Sequence, residues 1–304
     1  MNRDQKRLFW AAAAVIGMGV FFTVEHFSGP ARNEPVYQGK RLTWWLHRLD
    51  DGQAFGISSG ELPSPTPRQL EAGEAIRAMG AGALPLLMED IHARPDEDGF
   101  RNRLYRWSNA HLPSFLSSQF FADDTGEEDR IRWRAAQGLA ALGPAARPAL
   151  PELERLLLTN FWHSSIKEAA YALATLGPEG AGALTNSVQP QSEWSGMCAI
   201  WALGQHPAVG TNYIPFLISA TASPSEGTAE GAIEVLGLFH ADAGRVVPAL
   251  TRFLTGTNAE LSGRAAVALG RFGRQAAPAV PFLEAMTNNV AVKDAALQAL
   301  KRIR

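Results

Sequence analysis

The chain repeats one short pattern about every thirty residues, and this repetition limits the folds that it can adopt. Residues 263–281 read G-R-A-A-V-A-L-G-R-F-G-R-Q-A-A-P-A-V-P, and residues 134–151 read R-A-A-Q-G-L-A-A-L-G-P-A-A-R-P-A-L-P. Further copies lie between these two and before them. Self-similarity with a period of roughly 20–50 residues is typical of solenoids, in which each unit stacks on the next.

Each copy contains an Ala/Leu-rich segment with the periodicity of an α-helix. Apolar residues recur at i, i+3 and i+6, which places them on one stripe of a helix. We expect each helix to stop at a Gly, or at the residue aligned with it, because Gly accepts the left-handed conformation of a helix end. The middle apolar column is Ile76, Leu139, Leu173, Leu203, Leu236 and Leu269, and the stop column is Gly80, Gly143, Gly177, Pro207, His240 and Gly273.

A second helix is predicted after each stop. Its proline column lies near the helix start, where the missing N–H of proline costs no intrahelical hydrogen bond. The repeating unit is therefore helix–turn–helix, and a pair this short must stack on its neighbours to bury its apolar face. The predicted second helices are 147–158, 213–220, 245–254 and 279–286, with Pro151, Pro215, Pro248 and Pro281 in the column.

The repeat resembles the HEAT-like family, in particular the short variety named after the phycobilisome lyases. That family's pattern V-R-x-x-A-A-x-A-L-G-x-I-G followed by P-A-L-x-x-L-L is similar to residues 264–273 with 281–286, and to residues 134–143 with 148–157. The resemblance covers roughly residues 68–304. It implies an all-α fold, an α-solenoid wound as a right-handed superhelix of about six HEAT-like repeats, and it implies little about activity.

The amino terminus has the pattern of a membrane anchor. Residues 1–7 carry Arg3, Lys6 and Arg7, and residues 8–24 contain no charged residue. Seventeen residues are close to the length of about 20 that a membrane-spanning helix needs. We predict a cytoplasmic segment 1–7, an uncleaved transmembrane signal anchor 8–24 and a linker 25–40, with the solenoid on the extracytoplasmic (periplasmic) side. The alternative is a cleaved signal peptide and a secreted protein.

The rest of the chain divides by composition and repeat spacing. Residues 41–67 are predicted to form a helix that caps the first repeat, followed by a loop, and residues 68–94 form that repeat. The distance from Gly80 to Gly143 is about double the usual spacing, which indicates a helical insert at 95–130. The insert is interpreted either as a degenerate repeat or as a lid or partner site. Residues 131–304 are predicted to be the main repeat array.

The sequence contains no catalytic constellation and no metal-binding motif; residues 56–60 match G-x-S-x-G, but no strand is predicted before them, as a nucleophile elbow requires. Deoxyhypusine hydroxylase, an enzyme with HEAT-type repeats, binds iron through His-Glu dipeptides, and this chain has seven His residues but no such dipeptide. The lone Cys198 is predicted to be a buried packing residue. We therefore expect no enzyme activity, no cofactor and no metal.

Nucleic acid is also not expected as a partner. The net charge of the chain is −2, and from Arg130 onward there are 15 Lys or Arg against 12 Asp or Glu. This excess is too small and too dispersed for a basic stripe that binds phosphates.

One column of the first helices points away from the predicted core. It carries Gln137, Tyr171, Trp201, Glu234 and Val267, with Gln205 one turn after Trp201. In HEAT-like folds these helices line the concave groove, so the resemblance implies that Tyr171 and Trp201 are neighbours there. Trp162 and Trp194 lie in turns on the adjoining ridge. Aromatic residues are frequent anchors of interfaces, although these rings could instead pack between repeats.

The sequence thus favours a membrane-tethered, non-catalytic scaffold that binds a protein or peptide in its groove. Two alternatives remain open. One is an accessory or lyase-like protein that holds a modified partner, for example one that bears a chromophore. The other is a structural spacer of the cell envelope.

Overall fold

The computed structural model describes residues 33–50, 65–93, 127–158, 163–188, 193–206 and 210–304. The chain divides between Pro35 and Val36, and every element below belongs to the unit Val36–Arg304. The predicted anchor at 8–24 and most of the predicted insert lie outside the described residues. Within the ranges given, no helix is both long enough and apolar enough to cross a membrane.

The described part of the chain is built mainly of short helices. A two-stranded ribbon, β1 (Val36–Tyr37) and β2 (Lys40–Arg41), precedes them. The helices in chain order are α1 (Leu42–Leu49), α2 (Pro67–Met79), α3 (Leu84–Ile91), α4 (Glu127–Leu142), α5 (Leu150–Leu158), α6 (His163–Leu173), α7 (Pro178–Ser187), α8 (Glu193–Gln205), α9 (Ile214–Ala220), α10 (Glu226–Phe239), α11 (Ala243–Thr251), α12 (Ala259–Arg271), α13 (Val280–Met286) and α14 (Lys293–Ile303). Short 3₁₀ turns join several pairs, at Gly80–Ala83, Gly143–Ala149, Thr211–Tyr213, Arg252–Thr255 and Gly273–Ala279.

The helices form two rows that run along the stack. The first helices of the pairs, from α4 through α6, α8, α10 and α12 to α14, each contact the next one in this series. The second helices α3, α5, α7, α9, α11 and α13 pack against the first helices. This serial stacking is the architecture that the repeat pattern predicts.

The core follows the predicted apolar columns. All six members of the middle column, from Ile76 to Leu269, have no exposed surface. The neighbouring alanines at 135, 169, 199, 232 and 265 are also fully buried. Burial of apolar surface is the main stabilising term in folding, so this continuous stripe accounts for most of the cohesion between repeats.

Small residues allow consecutive first helices to approach closely. A Cβ atom on Gly237 in α10 would lie 2.7 Å from Cβ of Ala268 in α12. A Cβ atom on Gly204 in α8 would lie 2.7 Å from a methyl group of Val235 in α10. These contacts are too short for a side chain without a shift of the helices. The repeated Gly and Ala positions therefore set the spacing between repeats.

The helix ends confirm the stop column. Gly80, Gly143, Gly177 and Gly273 all have positive φ angles, between 52° and 83°. His240 holds the aligned position in the left-handed conformation, with φ 49°. Pro207 lies outside the described residues. Glycine adopts this conformation without a steric penalty, and the stop column is therefore dominated by it.

Two local features differ from the prediction. Pro248 lies inside α11 and not in its first turn, because α11 begins earlier, at Ala243. The predicted linker 25–40 contains β1, and a turn with positive φ at Gln38 and Gly39 connects it to β2. Two consecutive residues with positive φ form the turn type that suits a tight hairpin. A Gln-Gly pair between two-residue strands is a weak signal, and the sequence analysis missed it.

The hairpin and α1 pack on the first repeats. The indole nitrogen Nε1 of Trp45 in α1 donates a hydrogen bond to the backbone carbonyl of Tyr37, at 3.4 Å. Arg134 in α4 donates through Nε to the carboxylate of Asp50, at 2.8 Å. Both partners of this ion pair are largely buried. The pair therefore joins the end of α1 to the repeat array.

Candidate functional site

The column that was predicted to point away from the core forms a half-buried face. Its members are Gln137 in α4, Tyr171 in α6, Trp201 in α8, Glu234 in α10 and Val267 in α12, and each is half-buried. These side chains therefore lie between the packed interior and solvent. We call this surface the first-helix face.

Three rings from three consecutive first helices meet on this face. The centroids of Tyr171 and Trp201 are 6.0 Å apart, so the predicted neighbours do lie together. Trp133 in α4 joins them, at 4.6 Å from Tyr171 and 6.2 Å from Trp201. The planes are mutually tilted, a favourable arrangement for aromatic pairs. We call Trp133, Tyr171 and Trp201 the aromatic cluster.

Sequence reasoning missed Trp133, although a signal was present. Trp133 lies four residues before Gln137, and residues separated by four share one face of a helix. Because Gln137 was already assigned to the outward column, Trp133 could have been placed on the same face. Trp133 directly precedes the repeated R-A-A motif, which begins at Arg134. It therefore lies outside the segment that the repeat alignment covers.

His206 extends the aromatic cluster at the end of α8. Its ring lies 4.6 Å from the ring of Tyr171, between centroids. Burial lowers the pKa of His206 to about 4 and outweighs the opposite effect of the Tyr171 backbone. The ring is therefore neutral near pH 7. Its Nε2 atom is buried and has no hydrogen-bond partner among the described residues.

A lysine lies over one ring of the cluster. The ammonium nitrogen of Lys167 in α6 is 4.8 Å from the centroid of the Trp201 ring. This distance is within the range of a cation–π interaction. Burial lowers the pKa of Lys167 to about 8, while the neighbouring Glu168 raises it. The cluster thus contains a cation that is only partly solvated.

Glu168 is a buried carboxylate beneath this face. Its side chain is 2% exposed, and one of its oxygens, Oε2, has no hydrogen-bond partner within the described ranges. Burial raises the pKa of Glu168 to about 7, and the attraction of Arg132 opposes that shift. Arg132 is buried as well; it pairs with Asp129 and donates to the carbonyl of Ala93, which follows α3. This group of charges connects α3, α4 and α6.

Cys198 lies in α8 near Lys167 and Glu168. It is a free, buried cysteine, as predicted. Burial raises the pKa of its thiol to about 12. A thiol in this environment stays protonated near pH 7, and only the thiolate is a strong nucleophile. Cys198 is therefore a packing residue.

The next part of the first-helix face is charged. Arg264 in α12 contacts three carboxylates: Glu230 at 3.2 Å, Glu234 at 3.7 Å and Glu260 at 2.9 Å. Burial raises the pKa of Glu234, and Arg264 and Arg271 counteract this effect. The ion pair of Glu234 is thus with α12 and not with the aromatic cluster. Gln205 is half-buried one turn after Trp201.

Trp194 and Trp162 are the two remaining predicted residues. Trp194 lies in the first turn of α8 and is 40% exposed. It is seven residues, or about 10 Å along a helix axis, from Trp201. Trp162 lies outside the described residues.

No group of three or more His, Cys, Asp or Glu side chains that could hold a metal ion occurs among the described residues. The absence of a metal, a cofactor and an enzyme activity stays a prediction from the sequence.

Comparison with known proteins connects part of the chain to a family. The family model of HEAT repeats matches residues 214–301, which is less than a third of the chain. No curated protein matches the chain.

Similar solved structures include one enzyme and two engineered proteins. Human deoxyhypusine hydroxylase, in complex with glycerol, is 18% identical, with 86% of this chain and 95% of that chain covered and a TM-score of 0.35. One engineered protein is 18% identical, with coverages of 86% and 96% and a TM-score of 0.30. Another is 18% identical, with coverages of 88% and 68% and a TM-score of 0.36. TM-scores this low do not identify a shared fold or function.

The family match and the fold agree for one part of the chain. Residues 214–301 resemble HEAT repeats in sequence, and they form stacked helix pairs.

Proposed function

We propose that this protein is a non-catalytic scaffold that binds a polypeptide partner on the first-helix face, with the aromatic cluster at the centre of the site. One observation carries the proposal. Trp133, Tyr171 and Trp201 come from three separate helices, contact one another, and remain half-buried on one face. Large rings that converge at a surface provide contact area at a low cost in conformational entropy, and such residues are common hot spots.

The chemistry of the face also supports recognition by contact. Cys198 is an unreactive thiol, and His206 is neutral and buried beside Tyr171. Lys167 lies over the Trp201 ring, and Glu230 and Glu234 on the next first helix pair with Arg264. A surface of this kind can bind side chains of a partner through apolar, cation–π and ionic contacts. HEAT-type repeats commonly serve as scaffolds, which agrees with this proposal.

The proposal includes two parts of the prediction that concern the whole chain. One is the right-handed superhelix that the HEAT-like resemblance implies, in which the first-helix face is the concave side. The other is the membrane tether at 8–24, which would place the site at a membrane. Deletion of residues 1–29 tests the tether: we expect the shortened chain in the soluble fraction. Its recovery with membranes would contradict the tether and leave the binding site unaffected.

The binding site can be tested with the unit Val36–Arg304 as bait. Polypeptides captured from the source cells are identified, purified and titrated against the bait in solution. We expect the double variant Tyr171→Ala, Trp201→Ala to weaken binding at least 30-fold, that is, by about 2 kcal/mol or more. The matched control is Trp44→Ala, because Trp44 is an exposed tryptophan on α1 that does not belong to the cluster.

Two outcomes would contradict the proposal. One is a partner that binds the double variant as tightly as the wild type, with both proteins shown to be folded by circular dichroism. The other is a purified protein that carries a chromophore, detected by visible absorbance, which would favour the lyase-like alternative.

A further inference from the structure

A groove lies between two consecutive second helices, in the row that does not contain the aromatic cluster. It runs between α11 and the segment that continues from the 3₁₀ turn Gly273–Ala279 into α13. Its volume is about 600 Å³, which is within the usual range for ligand sites. Both walls are largely apolar, formed by Val247, Pro248, Pro278 and Phe282. Phe282 is 42% exposed, although it is a large apolar residue.

The groove is long enough for a short peptide. Its lining residues include Ala243 at the start of α11 and Thr251 at its end. Nine helical residues span about 13 Å. An extended chain advances about 3.3 Å per residue, so about four residues fit along the groove.

One end of the groove carries a positive charge. Arg252 is the only ionisable residue in the lining. Its Nε atom makes a long contact, 3.4 Å, with the carbonyl of Ala249 in the preceding turn. Among the described residues, no carboxylate forms an ion pair with it, in contrast to Arg245 and Arg264. A guanidinium group binds a carboxylate through two parallel, charge-assisted hydrogen bonds.

The other end offers a backbone acceptor. Pro248 lies inside α11 and has no N–H. It therefore cannot donate the usual i→i−4 hydrogen bond to the carbonyl of Gly244. Gly244 also lines the groove. A ligand with an N–H group near this end can supply the missing donor.

We propose that this groove binds the last four residues of a protein partner. The terminal carboxylate pairs with Arg252, apolar side chains contact Pro248 and Phe282, and a backbone N–H of the peptide donates to the carbonyl of Gly244. A fatty acid has the carboxylate and the apolar body but no N–H group, so the acceptor favours a peptide. This site is separate from the aromatic cluster and does not depend on the function proposed for it.

The test measures fluorescence anisotropy with the full-length chain. The probe is a pool of hexapeptides, labelled with fluorescein at the amino terminus, whose last four positions vary among Ala, Val, Leu and Phe. It is prepared once as the free acid and once as the carboxyl-terminal amide. We expect the acid to bind at least tenfold more tightly than the amide, because the amide cannot form the ion pair.

Two variants separate the two ends of the groove. Arg252→Gln should reduce the affinity of the acid to that of the amide and leave the amide unchanged. Arg274→Gln is the matched control, since Arg274 is exposed and does not line the groove; it should change neither form. Pro248→Ala supplies a backbone N–H that can donate to the carbonyl of Gly244. The carbonyl is then no longer available to the peptide, so the variant should bind both the acid and the amide more weakly without unfolding.

Several results would overturn the inference. Equal binding of the acid and the amide would exclude the carboxylate contact, as would an Arg252→Gln variant with wild-type selectivity. Failure of the acid pool to bind at about 1 mM, an affinity too weak for a specific site, would exclude the peptide. Displacement of the pool by decanoate at equal affinity would show that the groove accepts amphiphiles in general.

Discussion

The imidazole of His206 packs on the ring of Tyr171, with centroids 4.6 Å apart. This contact joins the end of α8 to α6. It also holds a titratable group in a buried, neutral state. The titration of His206 should therefore make a contribution to the free energy of unfolding that depends on pH.

The first prediction concerns that dependence. The pKa of His206 is about 4 in the folded protein and about 6.5 in an unfolded chain. Between these values the unfolded chain binds the proton and the folded protein does not. The contribution is complete above pH 6.5 and is lost as the pH falls toward 4. At pH 5 the free energy of unfolding should be lower by about 2 kcal/mol than at neutral pH, as far as His206 contributes to it.

Urea unfolding at pH 5 and pH 7.5 measures this term. His206→Leu introduces the residue found at the aligned positions 142 and 176, and it should remove the term. The control is Gln205→Leu, one residue earlier, which should keep the wild-type difference between the two pH values. A His206→Leu variant with an unchanged pH dependence would show that the histidine is not buried as described.

The second prediction has the opposite sign and concerns Glu168. Its pKa is about 7 in the folded protein and about 4.3 when unfolded, so the folded protein binds the extra proton between these values. The contribution is complete below pH 4.3 and is lost as the pH rises through 7. Glu168→Gln replaces the buried charge by a neutral group and should stabilise the protein at pH 8, by about 1–3 kcal/mol.

The gain from Glu168→Gln should largely disappear near pH 4.5, because the carboxyl group is then protonated in the folded protein and partly protonated in the unfolded chain. Glu74→Gln is the control, since Glu74 is exposed on α2; it should change the free energy of unfolding by less than about 0.5 kcal/mol. A Glu168→Gln variant that is less stable at pH 8 would show that the attraction of Arg132 outweighs burial.

The fold was accessible from the sequence because its signal is repeated. Leu139, Leu203 and Leu269 recur at one position of the repeat, and all are fully buried. The same alignment placed Tyr171 and Trp201 on adjacent helices, and their rings are in contact. A periodic pattern thus predicts which face a residue occupies and which repeats are neighbours.

Contacts that occur only once among the described residues could not be predicted from the repeat pattern. Glu168 lies next to Lys167 in a sequence that suggests two solvated charges, yet it is buried between helices from different pairs. The start of α11 at Ala243 places Pro248 inside the helix, and the proline column alone does not reveal this. The groove beside Arg252 is lined by residues of two consecutive repeats, so it could be found only in the structure.

The third prediction tests the close approach of the first helices. A Cβ atom at Gly237 would lie 2.7 Å from Cβ and 2.9 Å from Cα of Ala268. Because one of these atoms is backbone, the helices must separate to accept it. Gly237→Ala should destabilise the protein by about 1–3 kcal/mol. Thermal and urea unfolding of the variant measure this cost.

Gly73→Ala is the matched control for this effect. Gly73 lies inside α2, and a Cβ atom there meets nothing within 4 Å. Alanine loses less backbone entropy than glycine when a helix forms. Gly73→Ala should therefore stabilise the protein by about 0.5–1 kcal/mol. Equal effects of the two substitutions would contradict the interhelical contact at Gly237.

The fourth prediction tests the continuous apolar stripe. Leu269 in α12 is fully buried, whereas Leu297 in α14 is 47% exposed. Leu269→Asp removes about 1.5–3 kcal/mol of apolar burial and adds an unpaired charge in the core. The loss of stability should exceed 4 kcal/mol, in the range that is exceptional for a point substitution. Leu297→Asp introduces the same carboxylate at a partly solvated position and should cost less than about 1 kcal/mol. Circular dichroism melting curves compare the two variants directly. If Leu269→Asp melted at the wild-type temperature, the stripe would not be continuous through α12, and the stacking of the repeats would have to be assigned anew.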